Sequence, residues 1–149
     1  MINMYLHGGS ENHGCEAIIR STIKMLEEKT KVYSYNIEQD IKYGLDQVCE
    51  LTADVPQSMP RGSKEWLFSS LQTKMTGKIN FAIKCRYKKF YDQISNGDIF
   101  LSVGGDNYCY AGTEVLAARN YNLRKKKCRT VLWGCSVEPD LLNDSVISS

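Results

Sequence analysis

Short apolar runs alternate with amphipathic stretches along the chain, and this alternation predicts the order of its strands and helices. Residues 2–6 are typical of a short buried strand, and residues 31–36 of a second strand. Between them, residues 15–29 carry apolar side chains at the spacing of an amphipathic helix: Cys15, Ile18, Ile19, Thr22, Ile23 and Leu26. This β-loop-α-β order predicts a parallel sheet with right-handed crossovers.

The middle of the chain is less regular. Residues 47–51 are a candidate third strand, and the two prolines within residues 54–62 indicate a loop. A first helix is predicted around Trp66, Leu67 and Leu71. A second helix carries a clear apolar stripe and ends at Asn96-Gly97; the stripe is Ile79, Ile83, Tyr87, Phe90 and Ile94.

The last third of the chain repeats the alternation of strand and helix. Residues 98–103 form the clearest strand pattern, followed by a helix over 113–127 and a buried strand over 130–135. Pro139 and Asp140 indicate the start of a further helix. The fold class predicted is therefore α/β, with a Rossmann-like parallel sheet flanked by helices.

The composition is that of one globular domain. Of 149 residues, 42% are hydrophobic and 24% charged, which excludes a disordered chain. There is neither a membrane-spanning apolar run nor a signal peptide, so a cytoplasmic location is expected. The six cysteines form no CxxC pair and are expected to be free thiols. Because the sequence stops soon after the last helix begins, residues 1–149 are interpreted as a single domain of a longer protein.

The net charge of +2 hides an asymmetry. Residues 1–73 carry 7 basic and 10 acidic side chains, whereas residues 74–149 carry 12 basic and 7 acidic ones. Two clusters account for the excess: Lys84, Arg86, Lys88 and Lys89, then Arg124, Lys125, Lys126 and Lys127. We interpret them as solvated helix surfaces and expect no nucleic-acid partner, while a peripheral association with anionic lipid stays open.

Three loops each follow a strand and precede a helix, at residues 7–14, 104–112 and 135–139. Such loops meet at the carboxyl edge of a parallel sheet, where ligands bind, and glycines there allow close backbone approach. The first loop is no P-loop, because Cys15 and Glu16 stand where Lys and Ser/Thr are needed. The loop does not match the dinucleotide-binding fingerprint either, so no cofactor is expected. No metal site is expected, because no clear group of carboxylates or cysteines accompanies His7 and His13.

The polar and glycine residues of the first two loops are the predicted substrate-binding set: Asn12, Gly14, Glu16, Gly104, Gly105, Asp106, Asn107 and Tyr108. Glu16 and Asp106 are the candidate catalytic carboxylates, as a base or a partner for sugar hydroxyls. Several alternatives stay open. Asn12 can instead fix the turn, and Cys15 can pair with His13 as a nucleophile or pack in the core. Tyr108 and Tyr110 can stack on a sugar ring or simply pack.

Three of these segments resemble the polysaccharide pyruvyl transferase family. Residues 12–17 resemble that family's early Asn-x-Gly-Asp-Glu-Ala turn, with Cys15 in place of the usual acidic residue. Residues 98–106 resemble its strand ending in a Gly-Gly pair. Residues 131–139 resemble its later strand, although Ser136-Val137-Glu138 replaces the glycine-rich turn before the proline. The order and spacing of the three agree across nearly the whole chain.

The resemblance implies the N-terminal half of an enzyme with two Rossmann-like domains, arranged as in the two-domain glycosyltransferases, with the active site between them. Bacterial members transfer a pyruvyl group from phosphoenolpyruvate to a sugar of an exopolysaccharide, capsule or cell-wall glycan. The partners implied are phosphoenolpyruvate, the glycan acceptor and a C-terminal domain, absent here, that would supply the basic residues that bind the donor and a catalytic histidine. We therefore expect the isolated domain to be inactive.

Two other functions stay open at this point. The first is a half-domain of a sugar-nucleotide glycosyltransferase, which shares the fold and the cleft. The second is a non-catalytic, flavodoxin-like binding module.

Overall fold

The computed structural model describes residues 1–109 and 112–139, which fold into alternating strands and helices. The strands are β1 (Ile2–His7), β2 (Thr30–Ser34), β3 (Glu50–Ala53), β4 (Ile99–Val103) and β5 (Arg129–Trp133). The helices are α1 (His13–Leu26), α2 (Ile37–Lys42), α3 (Lys64–Thr76), α4 (Asn80–Arg86), α5 (Lys88–Asp92) and α6 (Thr113–Lys125), with a 3₁₀ turn at Leu45–Gln47. The helix predicted from Asp140 onward lies outside the described residues.

The strands of the described part form one parallel sheet in the order β3-β2-β1-β4-β5. The chain moves outward from β1 to β3 and then returns to the other side of β1 for β4 and β5. The strand order therefore reverses between β1 and β4, and the carboxyl ends of these two strands are the topological switch point where open sheets of this type bind ligands. This confirms the Rossmann-like sheet flanked by helices; the two-domain arrangement stays a prediction.

The two faces of the sheet bury different cores. On one face α1 covers an aliphatic core made of Met4, Ile19, Val32, Leu45, Leu101 and Val103. On the other face α4, α5 and α6 cover an aromatic core. Its centre is the Phe90 ring, whose centroid lies 4.8 Å from that of Tyr33 and 5.7 Å from that of Phe100, in the edge-to-face geometry that aromatic pairs favour. The stripe predicted in the second middle helix lies in this core.

That stripe belongs to two helices, α4 and α5, rather than to the single helix predicted. A continuous helix would use the carbonyl of Arg86 to accept a hydrogen bond from the N–H of Phe90. Instead the N–H of Gln57, in the loop after β3, donates to that carbonyl at 2.7 Å. The helix is interrupted at Tyr87, whose ring stays buried. A hydrogen bond between residues distant in sequence therefore divides into two helices a segment for which the apolar periodicity predicts one.

The region around residues 37–53 differs most from the sequence prediction. Helix α2 was not predicted; the Asn36 side chain caps it by accepting a hydrogen bond from the N–H of Gln39. The predicted third strand is present, but its bounds of 47–51 are wrong, because β3 spans Glu50–Ala53. The residues just before β3 form a turn instead, because the carbonyl of the buried Leu45 accepts hydrogen bonds from the N–H groups of Val48 and Cys49.

Strand β5 is one of the two edge strands of the described sheet, the other being β3. Its Val131 and Leu132 side chains point to opposite faces and are 42% and 51% exposed. Two exposed cations, Lys127 and Arg129, lie at its start. Within the part of the chain that the structure describes, this strand therefore combines a backbone edge that pairs with no further strand, exposed apolar side chains and a positively charged end.

Both basic clusters lie at the surface, as predicted, except that Lys126 is half-buried and its Nζ donates to the Ile94 carbonyl at 3.4 Å. All six cysteines are free thiols in the structure. Within residues 1–109 and 112–139, no helix combines the length and the apolar character needed to cross a membrane.

Candidate functional site

The loops that follow β1 and β4 meet at the switch point. Gly8 and Gly9 follow β1, and Gly104 and Gly105 follow β4, so both glycine pairs lie at the ends of neighbouring strands. The Asn107 side chain joins the two ends: its Nδ2 donates to the carbonyl of Leu6 at 3.1 Å and to that of Val103 at 3.1 Å. The structure thus brings together the first two of the three loops that the sequence placed at this edge.

The Asn107 side chain packs tightly against Gly104. Gly104 has φ +138°, a conformation that side chains rarely adopt, and a Cβ atom there would lie 2.0 Å from Asn107 Nδ2. The carbonyl that Asn107 holds belongs to Leu6, which itself has φ +67° where the register of β1 shifts against β2. A non-glycine residue in this region costs about 1–3 kcal/mol, and such strain clusters at functional sites.

The loop after β1 is fixed from behind by α2. His7, Ser10 and Asp40 are almost fully buried, and one Asp40 oxygen, Oδ1, lies 2.9 Å from His7 Nε2 and 2.6 Å from Ser10 Oγ. Gly9 lies so close to Gln39 that a Cβ atom would meet the Gln39 Oε1 at 2.4 Å. The loop is therefore preorganised by a buried polar cluster, which the sequence analysis missed because Asp40 lies on the helix that it did not predict.

Asn12 is the N-cap of α1. Its Oδ1 accepts hydrogen bonds from the backbone N–H of Gly14 at 3.0 Å and from that of Cys15 at 3.3 Å. These are two of the donors that an uncapped helix would offer to an anion. These two N–H groups are therefore not free for an anion, and the interpretation of Asn12 as a turn-fixing residue is confirmed.

Glu16 lies in the first turn of α1 and contacts Arg20 and His13. Arg20 Nε donates to its Oε1 at 2.7 Å, and the exposed His13 Nδ1 lies 3.5 Å from its Oε2. The hydrogen bond from Arg20 lowers the pKa of Glu16, against a smaller opposing effect of burial. An ionised carboxylate with a lowered pKa is a weak base, so Glu16 is better suited to accept a hydrogen bond than to remove a proton.

Asp106 is the exposed carboxylate of the second loop. It lies near the half-buried thiol of Cys15, so the start of α1 and the loop after β4 face each other across the switch point. Gly105 is half-buried beside it, and its carbonyl accepts a hydrogen bond from the N–H of Ser136. The third loop is joined to the second again where Tyr108 pairs with Val137.

Tyr108 is only 4% exposed and belongs to the aromatic core. Its hydroxyl lies 2.9 Å from Ser102 Oγ and accepts a longer hydrogen bond, of 3.4 Å, from Asn120 Nδ2. Tyr108 therefore holds the loop in place through its hydroxyl. Because its ring is buried, no ring face is open to a sugar, and the alternative that Tyr108 packs in the core describes it. Tyr110 lies outside the described residues.

A buried ion pair beneath the same edge was not predicted. Arg119 of α6 and Asp54, which follows β3, are both 0–1% exposed; Arg119 Nη2 donates to both Asp54 oxygens at 2.9 and 2.7 Å. Arg119 Nη1 also donates to the hydroxyl of Tyr35, which follows β2. Burial alone would lower the pKa of Arg119, but Asp54 and neighbouring tyrosines outweigh it, so its pKa is raised and it stays charged. The only sign of this ion pair in the sequence is Asp54, a carboxylate at the start of the predicted loop of residues 54–62.

Cys15 is not an activated nucleophile. Burial raises the pKa of its thiol and nearby Asp106 adds to the shift, whereas the Gly105 backbone opposes it. We expect iodoacetamide at pH 7 to alkylate Cys15 more slowly than glutathione, with the rate rising at higher pH as the thiolate forms. Peptide mass spectrometry of the native protein, with the urea-unfolded protein as control, measures this. Alkylation of native Cys15 faster than glutathione would restore the Cys15–His13 nucleophile.

Within the part of the chain that the structure describes, no group of three or more His, Cys, Asp or Glu side chains is arranged to hold a metal ion. Comparisons of the chain with protein-family models, with curated proteins and with solved structures gave no match in any of the three. The observations that bear on function are the geometry of the carboxyl edge and the three sequence segments.

Proposed function

We propose that this chain is the acceptor-binding half of a polysaccharide pyruvyl transferase, an enzyme that moves a pyruvyl group from phosphoenolpyruvate to a sugar of a bacterial glycan. The observation that carries the proposal is the convergence of two of the resembling segments. Residues 12–17 and 98–106 lie far apart in sequence, yet the loops they contain face each other at the switch point. Ligand binding at that point is the general rule for open parallel sheets.

The charges at this edge favour the acceptor over the donor. Phosphoenolpyruvate carries a carboxylate and a phosphate, and both require cations. The side chains at this edge include the carboxylates Glu16 and Asp106, while Arg20 is already engaged by Glu16 and by the carbonyl of Tyr43. Carboxylates accept hydrogen bonds from sugar hydroxyls, so this wall suits a neutral saccharide and repels the donor.

The proposed reaction joins two acceptor hydroxyls to one carbon of the donor. The methylene carbon of phosphoenolpyruvate takes up a proton and becomes a methyl group, both hydroxyl oxygens bond to the adjacent carbon, and inorganic phosphate leaves with the second proton. A base is needed at an acceptor hydroxyl. Asp106 is exposed at the edge and is the better candidate for that role, whereas Glu16, with its lowered pKa, orients a hydroxyl.

The test uses the complete gene product with phosphoenolpyruvate and a panel of bacterial glycan acceptors. We expect the acceptor to gain the mass of one carboxyethylidene group less the two hydroxyl hydrogens that it replaces, with release of phosphate. Asp106→Asn is expected to lower kcat about 10²–10⁴-fold, the usual contribution of a positioned base. The matched control is Asp46→Asn, an exposed carboxylate between α2 and β3, which is expected to leave the rate unchanged.

The same assay separates the other candidate functions. Transfer that requires a nucleotide-sugar and ignores phosphoenolpyruvate would contradict the proposal and indicate a glycosyltransferase. An Asp106→Asn variant with full pyruvyl transfer would remove Asp106 from the reaction. Saccharide binding without turnover of either donor would indicate a binding module.

A further inference from the structure

The two basic clusters, about forty residues apart in sequence, meet on one side of the molecule. Helix α4 packs against α6, and the Asn122 side chain of α6 donates a hydrogen bond to the Asn80 carbonyl of α4 at 2.9 Å. Lys84 comes from the first cluster, and Lys125 and Lys126 come from the second. A cavity of about 340 Å³ lies between these helices and is lined by all three lysines.

The lining is positively charged without compensation. Three lysines line one concave space, of which Lys126 also donates to the Ile94 carbonyl, and the described residues that line the space include no Asp or Glu. Like charges held together in a cleft repel each other and attract anions from solution. Lys84 and Lys125 are exposed, so their ammonium groups are accessible to an anion that enters the cavity.

The same cavity has aromatic and amide walls. Phe81 and Tyr121 supply ring surfaces, and Lys125 Nζ lies 5.4 Å from the centre of the Tyr121 ring. Gln72 adds an amide and is fixed because its Oε1 accepts a hydrogen bond from the N–H of Phe81 at 3.2 Å. Rings beside cations suit a ligand that is itself a ring with an anionic group. The volume is at the small end of ligand pockets, which restricts the ligand to about the size of a mononucleotide.

We propose that this cavity binds a phosphorylated ring compound, either a nucleoside monophosphate or a sugar phosphate. The phosphate contacts Lys84 and Lys125, and the ring packs against Phe81 and Tyr121. Helix α6 runs from the carboxyl end of β4 to the amino end of β5, so its last turn lies at the opposite edge of the sheet from the glycine loops. The inference is therefore independent of the proposed transferase site.

The experiment titrates the labelled chain with uridine 5′-monophosphate, ribose 5-phosphate and uridine at low ionic strength, and follows backbone amide shifts by NMR. We expect both phosphates to shift amides at the start of α4 and the end of α6, with uridine at least about tenfold weaker because it lacks the charge-assisted contacts. Tighter binding of the nucleotide supports a stacked base, and equal binding of the two phosphates supports a sugar phosphate. Uridine binding as tightly as the nucleotide would overturn the proposal.

Variants test the named contacts. Lys84→Gln with Lys125→Gln is expected to weaken nucleotide binding at least about tenfold, since two charged donors are lost. Lys24→Gln with Lys89→Gln, exposed lysines outside the cavity, removes the same charge and is expected to stay within about twofold of the parent. Equal losses in the two pairs, or no loss in the first, would show only diffuse attraction to a basic surface and would overturn the site.

A third variant separates the ring from the phosphate. Tyr121 is 37% exposed, so Tyr121→Ala is compatible with the fold. It is expected to weaken binding of the nucleotide severalfold while leaving the affinity for inorganic phosphate unchanged. An unchanged nucleotide affinity in this variant would contradict the ring contact.

Discussion

Replacing Arg119 with methionine is expected to lower the free energy of unfolding by about 3–5 kcal/mol. The substitution keeps a long side chain but leaves the Asp54 carboxylate, 1% exposed, without its cation. It also removes a guanidinium that packs on aromatic rings, at 4.2 Å from the Tyr87 ring centre and 4.6 Å from that of Phe90. One side chain therefore links α6 to the ends of β2 and β3 and to the aromatic core.

Urea denaturation followed by circular dichroism measures this loss. Arg86→Met is the matched control, because Arg86 is exposed on α4 and the same substitution there is expected to change stability by less than about 0.5 kcal/mol. The double variant Arg119→Met with Asp54→Asn removes both charges and is expected to recover part of the loss, since no uncompensated charge remains. An Arg119→Met variant within about 1 kcal/mol of the parent would contradict the importance of the pair.

Gly104→Ala is expected to lower the free energy of unfolding by about 2–4 kcal/mol and to disturb the switch point. Alanine adopts φ +138° only with strain, and its Cβ would displace the Asn107 amide, which lies 2.0 Å from that position. The carbonyls of Leu6 and Val103 would then lose a shared donor. Thermal or urea unfolding measures the loss of stability, and amide shifts in residues 8–14 report the disturbance of the neighbouring loop.

The adjacent glycine provides the control. Gly105 has an ordinary φ, and apart from its chain neighbours no atom of the described residues lies within 4 Å of the place that a Cβ atom would take, so Gly105→Ala is expected to change stability by less than about 1 kcal/mol. A Gly104→Ala variant as stable as Gly105→Ala would mean that the loop relaxes around the methyl group, and Asn107 would no longer be needed to join β1 to β4.

The fold could be predicted from the sequence where local pattern and tertiary structure agree. The strands at residues 2–7 and 99–103 are apolar runs that fill the centre of a sheet, and the periodic helix between residues 13 and 26 buries the face that its spacing indicates. The pattern failed where a distant partner decides the structure. The break at Tyr87 depends on a hydrogen bond from Gln57, which has no trace in the local periodicity.

The candidate site was predictable in position but less so in the role of each side chain. The rule that loops after parallel strands share one edge located the residues, and in the structure the second loop contacts both the first and the third. That rule does not reveal which polar groups already have hydrogen-bond partners within the protein. Asn12 and Asn107 look like ligands in sequence, yet Asn12 caps a helix and Asn107 holds two strand ends. Such uses depend on backbone geometry, which a motif does not encode.

The outer strand β5 affects how the protein behaves in concentrated solution. Among the described residues no strand pairs with its outer edge, so the backbone N–H and C=O groups there, flanked by the exposed Val131 and Leu132, are a template for strand pairing between molecules, the usual first step of edge-to-edge aggregation. Lys127 and Arg129 oppose parallel pairing of two such edges, because that arrangement places the cations at the two strand starts side by side. Added salt screens that repulsion, so colloidal stability is expected to fall as ionic strength rises.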